Sequence, residues 1–251
     1  INKNVKVDEY ILGDIKNILI ALTVGLEQQS HSEWLSQIED WKDSLSTPKP
    51  ADDIYPQPRE ILEAVNEIKA DDDIIATDVG QHQMWVAQYC RFESKKTLLT
   101  SGGMGTMGFG MGAAIGAQVS HLDKRVFLVT GDGSFHMNLN ELVTLKSYDL
   151  PVIVLVMNNT VLGMVRQWQK LFYGSRFSQT DPHRATDFVA LANAFGIDGM
   201  RITKPEEIKP VLKKAFDLNR PVVVDCHISP DVNVLPMIPP GKTVDDIITE
   251  M

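Results

Sequence analysis

Apolar residues recur along this chain at two periods, and the pattern changes once. Near the N-terminus, Trp34, Leu35, Ile38 and Trp41 fall at helical spacing, which predicts an amphipathic helix. Residues 14–26 read as another amphipathic helix and residues 5–12 as a strand. The surrounding sequence offers that strand no partner. In a chain that begins at Ile1 with no initiator Met, an orphan strand reads as the end of a domain whose sheet lies upstream. Residues 1–45 are therefore expected to be the remnant of a preceding domain. Pro48, Pro50, Pro56 and Pro58 follow. Prolines at that density stiffen and extend a chain, so 46–58 is read as a linker.

From Arg59 onward, short apolar β-rich runs appear at Ile74–Thr77, 126–130, 152–157 and 222–224. Helical patterns cover 60–69, 110–119, 139–148, 188–195 and 206–218. Near-continuous apolar strands alternating with helices predict an α/β fold, an open parallel sheet with helices on both faces. This domain is expected to span 59–228, with 229–251 a tail packing over the active site. Thr203-Lys204-Pro205-Glu206 reads as a capping box with proline in the first turn, and Gly196 as a helix end. Asp71-Asp72-Asp73 reads as a solvated turn. Residues 162–186, rich in aromatic and basic side chains, read as a lid or binding loop; a surface helix with aromatic anchors is the plainer alternative.

Composition narrows the function. The net charge of -9, with no Lys/Arg-rich block, argues against nucleic-acid binding. No apolar run approaches the ~20 residues a bilayer span requires. Cys90 and Cys226 are far apart with no CxxC, which reads as two free thiols in a reducing cytosol.

In an open parallel sheet, ligands bind outside the carboxyl ends of the strands. Three predicted strands end in polar residues: Asp78-Val79-Gly80-Gln81-His82, Gly131-Asp132-Gly133-Ser134, and Asn158-Asn159. Asp132 and Asn159 would bring one carboxylate and one amide oxygen to neighbouring strand tips. Mg²⁺ is a hard cation that prefers oxygen ligands at about 2.0–2.1 Å and shares its shell with phosphates. Gly131 and Gly133 leave room for backbone to approach a diphosphate. The helix from about Leu139 would add its N-terminal dipole.

The GDGS turn followed by Asn158-Asn159 resembles the thiamine-diphosphate signature. Gly80-Gln81-His82-Gln83-Met84-Trp85, Ser101-Gly102-Gly103-Met104-Gly105-Thr106-Met107-Gly108, Gly163-Met164-Val165-Arg166-Gln167-Trp168-Gln169 and Leu235-Pro236-Met237-Ile238-Pro239-Pro240-Gly241 all resemble acetolactate synthase large subunits. The resemblance implies a transferase that decarboxylates pyruvate and passes the hydroxyethyl unit to pyruvate or 2-ketobutyrate, in branched-chain amino-acid biosynthesis. It implies Asp132, Asn159 and the Val161 carbonyl as Mg²⁺ ligands. Gln81, His82, Gly105, Gly131 and the backbone of Gly133, Ser134 and Gly163 would hold the cofactor. Met107 would wedge beneath it, Met164 and Val165 would line the site, and Trp168 would shape the acceptor pocket and its access channel. FAD would belong mostly to an absent central domain. The family's catalytic glutamate lies on an N-terminal domain contributed by a partner subunit, so the chain alone is expected to be inactive. A cytoplasmic homo-oligomer with a small regulatory subunit is further implied. Two departures stand out: Met111-Gly112 where the family often has Pro, and Thr160-Val161-Leu162 in the metal loop.

Plainer readings compete. Met107 could fill core, His82 could be a helix-start residue bonded to backbone, and Trp168 could be a packing anchor. His31, His121, His136, His183 and His227 are read as structural or surface residues. Gly103-x-Gly105-x-x-Gly108 also matches a dinucleotide fingerprint, but 96–100 makes a poor strand to precede it. A thiamine-dependent decarboxylase, pyruvate oxidase or glyoxylate carboligase is the alternative activity, and a non-catalytic module that kept the fold is another.

Overall fold

The structure is a computed structural model that describes residues 1–44 and 54–249. It divides into two compact units between Thr47 and Pro48. Most of the segment expected to be a linker lies outside the described residues. Pro58 is not part of it, because it begins a helix with Gln57 as N-cap.

In the first unit, α1 (Ile15–Thr23) starts at Asp14, whose side chain accepts from the Asn17 N–H at 3.1 Å, the usual N-cap bond. Helix α2 (Ser32–Ser44) carries Trp34 and Trp41 edge-to-face, 5.4 Å apart. Residues 5–12 form no strand, contrary to the pattern. A strand needs a neighbour for its N–H and C=O groups, and the described residues of this unit form no sheet to supply one.

The second unit is a six-stranded, all-parallel sheet. Its strands are β1 (Ile74–Thr77), β2 (Leu98–Leu99), β3 (Val126–Gly131), β4 (Val152–Asn158), β5 (Asp198–Ile202) and β6 (Val222–His227), ordered β2-β1-β3-β4-β6-β5. The apolar runs are continuous because both faces are buried. Phe127, Val129, Ile153, Leu155 and Val224 enter one core with α3 (Pro58–Ile68), α4 (Gln81–Tyr89) and α10 (Ile208–Asp217). Val126, Leu128, Val152, Val154 and Val223 enter the other, with α5 (Phe109–Ser120), α7 (Leu142–Ser147) and α9 (Phe188–Ala194). The alternation is the strand period of two. Two further helices are the one-turn α6 (Asp132–Phe135) and the longer α8 (Gly163–Phe172).

Several expectations need correction. Strand β5, Asp-Gly-Met-Arg-Ile, has no apolar run; it lies at an edge and only Ile202 is fully buried. Leu98–Leu99 does pair with Ile75 and Ala76, as a two-residue edge strand. The first part of 162–186 is helix α8, not loop. Glu207, not Glu206, closes the helix cap by accepting from the Thr203 and Lys204 N–H groups at 2.7 and 3.1 Å. Asp73 is buried rather than solvated, because it accepts from the Ala70 and Arg125 N–H groups.

The sheet order places the functional residues. From β1 the chain moves outward to β2, then crosses back so that β3 lies on the other side of β1. Such a reversal opens a crevice at the carboxyl ends of the two strands.

Candidate functional site

A cleft of about 530 Å³ opens at that crevice. Gln81, His82, Met107, Gly131, Asp132, Gly133, Ser134, Asn159, Val161, Gly163, Met164 and Val165 all line it, with Trp85 and Leu162. Gly105 is outside this lining and serves the preceding turn, at φ +65°. Trp168 lines an adjoining, more open apolar pocket with Tyr173 and Arg176, and Met164 and Val165 form the shared wall.

Three helices begin on this cleft: α4 after Gly80, α6 after Gly131 and α8 after Leu162. None has a side-chain cap bond at its N-terminus. Uncapped helix starts leave N–H donors and the positive end of the backbone dipole for an anion. The helix that serves the GDGS turn is thus α6, which starts within it. The later one predicted from Leu139 opens as a three-residue 3₁₀ turn, Leu139–Glu141, before α7.

Glycines keep the cleft open. A Cβ at Gly131 would come within 2.8 Å of His82 Nδ1, and one at Gly133 within 3.1 Å of Leu162 Cδ2. Ser134 Oγ donates to the Val79 carbonyl at 2.7 Å, which ties the β3 turn to the β1 turn. Asp78 accepts from the Gly108 N–H at 2.7 Å and so fixes the glycine-rich turn that carries Met107; burial pushes its carboxyl up. Sequence reasoning placed Asp78 at the edge but gave it no role.

Asn159, Thr160 and Val161 form a tight turn. The Asn159 Oδ1 accepts from the Val161 N–H at 3.2 Å, an Asx-turn. Thr160 is held at φ +62°, a costly conformation for a β-branched residue. The unusual loop filling therefore carries strain at Thr160, while Val161 itself is buried on the cleft wall.

Among the described residues, no Lys or Arg side chain lines the cleft, and Arg184 acts on Asp132 from outside the lining. Burial raises the Asp132 carboxyl to about 6, against the N–H of Gly133, which favours ionisation. His82 is buried and pushed down to about 3 by desolvation, so its ring is neutral. Its Nε2 has no hydrogen-bond partner. A buried polar atom without a partner on a cleft wall is open to a hydrogen bond from a bound molecule or water. The plainer reading of His82 is met, since it sits in the first turn of α4 and its ring bonds the Asp78 backbone, and the residue also lines the cleft.

This neutral imidazole sets a pH dependence. Unfolded histidine takes a proton near pH 6.5, whereas the folded ring resists protonation until about 3. The folded state then binds fewer protons, so stability falls as pH drops below about 6.5. At pH 5 the expected loss is about 2 kcal/mol. His82→Gln should remove it. Melting curves at pH 5 and 7 test this, and a wild-type minus variant difference that ignores pH would refute it.

A family model described as the C-terminal TPP binding domain of thiamine pyrophosphate enzymes matches residues 78–226. An acetolactate synthase large subunit from Parasynechococcus marenigrum is 45% identical over 97% of this chain and 40% of its own length. A probable acetolactate synthase large subunit from Methanocaldococcus jannaschii is 43% identical over 99% of this chain and 43% of its own length. An acetolactate synthase from Mycobacterium bovis is 38% identical over 98% of this chain and 42% of its own length. The chain thus spans about two fifths of these curated relatives. Since the matched span runs from the residue after β1 into β6 and takes in the whole cleft lining from Val79 to Val165, the chain belongs to the thiamine pyrophosphate enzymes and carries their C-terminal cofactor-binding domain.

Proposed function

We propose that this chain is the cofactor-binding part of an acetolactate synthase large subunit, which decarboxylates pyruvate and transfers the two-carbon unit to a second 2-keto acid. The observation that carries this is the meeting of three uncapped helix N-termini with Asp132 and Asn159 in one cleft. Among the described residues, no group of three or more His, Cys, Asp or Glu side chains could hold a metal by itself. A metal here would need amide, carbonyl and ligand oxygens, which suits Mg²⁺ bound together with a diphosphate. Asp132, Asn159 and the Val161 carbonyl would hold Mg²⁺. The backbone N–H groups of Gln81, His82, Gly133, Ser134 and Gly163 would hold the diphosphate, since both Gln81 side-chain N–H groups are already given to Gln167 and Val232.

When bound, thiamine diphosphate supplies the nucleophilic carbon and the electron sink for decarboxylation. The protein's own work is orientation and exclusion of water. Met107, whose Cε lies 3.7 Å from where a Gly133 Cβ would be, would wedge under the cofactor. The apolar wall of Met164 and Val165 separates the cofactor cleft from the Trp168 pocket, where the acceptor acid would enter. Flavin would be held outside these residues. The activating glutamate is expected from another domain, so residues 1–251 alone should show no carboligase turnover. Cytoplasmic location, homo-oligomerisation and a small regulatory subunit follow from the same reading. Among the described residues, no helix is long and apolar enough to cross a membrane.

The test is product analysis with pyruvate on the full-length enzyme, beside a binding titration followed by the fluorescence of Trp85. Acetolactate, with no acetaldehyde or acetate, is expected. Acetaldehyde as main product would replace this reading with a decarboxylase. Absence of any response to thiamine diphosphate and Mg²⁺ would overturn it.

A further inference from the structure

A chain of buried amides runs from the tail to the metal loop, and it has a direction. Gln167, on α8, is 2% exposed. It pairs with both backbone groups of Val234: the Val234 N–H donates to Oε1 at 2.9 Å, and Nε2 donates to the Val234 carbonyl at 3.0 Å. A backbone N–H can only donate and a carbonyl can only accept, so the Gln167 amide has one permitted orientation. Gln81 comes next. One end of its amide meets two acceptors, Gln167 Oε1 at 2.9 Å and the Val232 carbonyl at 3.1 Å. That end must be the NH₂ group. Its oxygen therefore faces Asn159 and accepts from Nδ2 at 3.2 Å. Asn159 must then turn its own oxygen the other way, toward the Val161 N–H.

We infer that Gln167 is a positioning residue: through Gln81 it fixes which end of the Asn159 amide is oxygen, and so makes that side chain a metal ligand. This rests on the proposed role of Asn159 toward Mg²⁺. A reversed amide would present N–H groups to the cation, which repel it. The polarity originates in the tail backbone at 232–234, so order in the tail and competence of the metal loop are linked. A backbone pair at one end and the Val161 N–H at the other require the same orientation. Such agreement settles an amide that its shape alone would leave ambiguous.

An Asn159→Asp background separates orientation from packing, because a carboxylate shows oxygen at both ends. Gln167→Met keeps the shape and removes the hydrogen bonds. Both changes and their combination are made in the full-length protein, and affinity for Mg²⁺ with thiamine diphosphate is measured by calorimetry. With Asn159 intact, Gln167→Met should weaken binding about tenfold, since it removes one of the two acceptors that orient Gln81 and unpins Val234, two residues from the other. On top of Asn159→Asp it should cost less than twofold, or help, because Gln81 can then flip and donate. That non-additivity is what direct coupling predicts. An equal loss in both backgrounds would assign Gln167 to packing and overturn the inference, while the cofactor site stands. No loss in either would also overturn it. A wild-type protein that binds neither ligand would overturn the inference together with the proposed function. If Gln167→Met does not fold, Gln81→Met enters the same cycle, since any loss from repacking at Gln81 is common to both backgrounds and cancels.

Discussion

Asp132→Asn is expected to stabilise the ligand-free protein while destroying its affinity for Mg²⁺ and thiamine diphosphate. The carboxyl lies buried, Arg184 offsets the desolvation only in part, and its folded-state value rises to about 6 from an ordinary 3.8. Between pH 4 and 6 the folded state holds a proton that the unfolded chain has released, so stability falls as pH rises through that window. Above about pH 6 the full cost is present. A shift of about two units corresponds to roughly 3 kcal/mol at most. Asparagine has the same shape and no charge, so it escapes that cost. The advantage of the variant should be absent below about pH 4, grow to pH 6 and stay level above. Binding moves the other way. Leaving one member of a buried charge pair unmatched costs about 3–5 kcal/mol, which is roughly two to four orders of magnitude in affinity. Melting curves from pH 4 to 8 without ligand, beside calorimetric titration with the metal and cofactor, read both effects. A variant less stable than wild type at pH 7 would refute the first half, and undiminished affinity the second.

That opposition between stability and binding explains why the centre of the site was legible in the sequence. Asp132 and Asn159 end strands whose apolar runs are unmistakable, because each is buried on both faces. A polar residue at such a place has no packing reason to be there. The strand ends of β1, β3 and β4 were therefore readable, and with them the cleft. Elements whose form depends on partners distant in sequence were not. Strand β5 is held by β6 at the sheet edge and by α9, and its Asp, Gly and Arg residues carry no strand pattern. Residues 5–12 carry the pattern but lack the partner. Helix α4 buries only Gln81, His82, Trp85 and Val86, two of them polar and committed to the site, so its apolar stripe is faint. Gln167 left one signal: a polar residue on the inward side of an amphipathic helix. Its partners, Gln81 and Val234, are distant in sequence, and only the fold brings them together.

Gly163→Ala should show that the site can be broken with little cost to the fold. A Cβ there would stand 2.0 Å from Gln81 Oε1 and 2.6 Å from Asn159 Nδ2. Both are side-chain ends, so the protein can relieve the clash by moving them. Gly163 is also the first residue of α8, where alanine gains up to about 1 kcal/mol over glycine in helix preference. The expected net change in stability is therefore near zero. Moving those two amides, however, dismantles the contact that orients Asn159 and shifts the group proposed to meet the metal. Affinity should fall at least about a hundredfold, in line with about 3 kcal/mol or more for a displaced ligand set. Gly199→Ala is the contrasting control. Its Cβ would lie 2.8 Å from both the Cα and the carbonyl oxygen of Val189, which are backbone atoms of the packed helix α9 and cannot swing aside. Overpacking of that kind costs about 1–3 kcal/mol, or roughly 2–12 °C in melting temperature for a chain of this size, with binding retained. If Gly163→Ala instead lowers the melting temperature as much as Gly199→Ala and leaves affinity intact, Gly163 serves the fold, and its place against Gln81 and Asn159 has no part in binding.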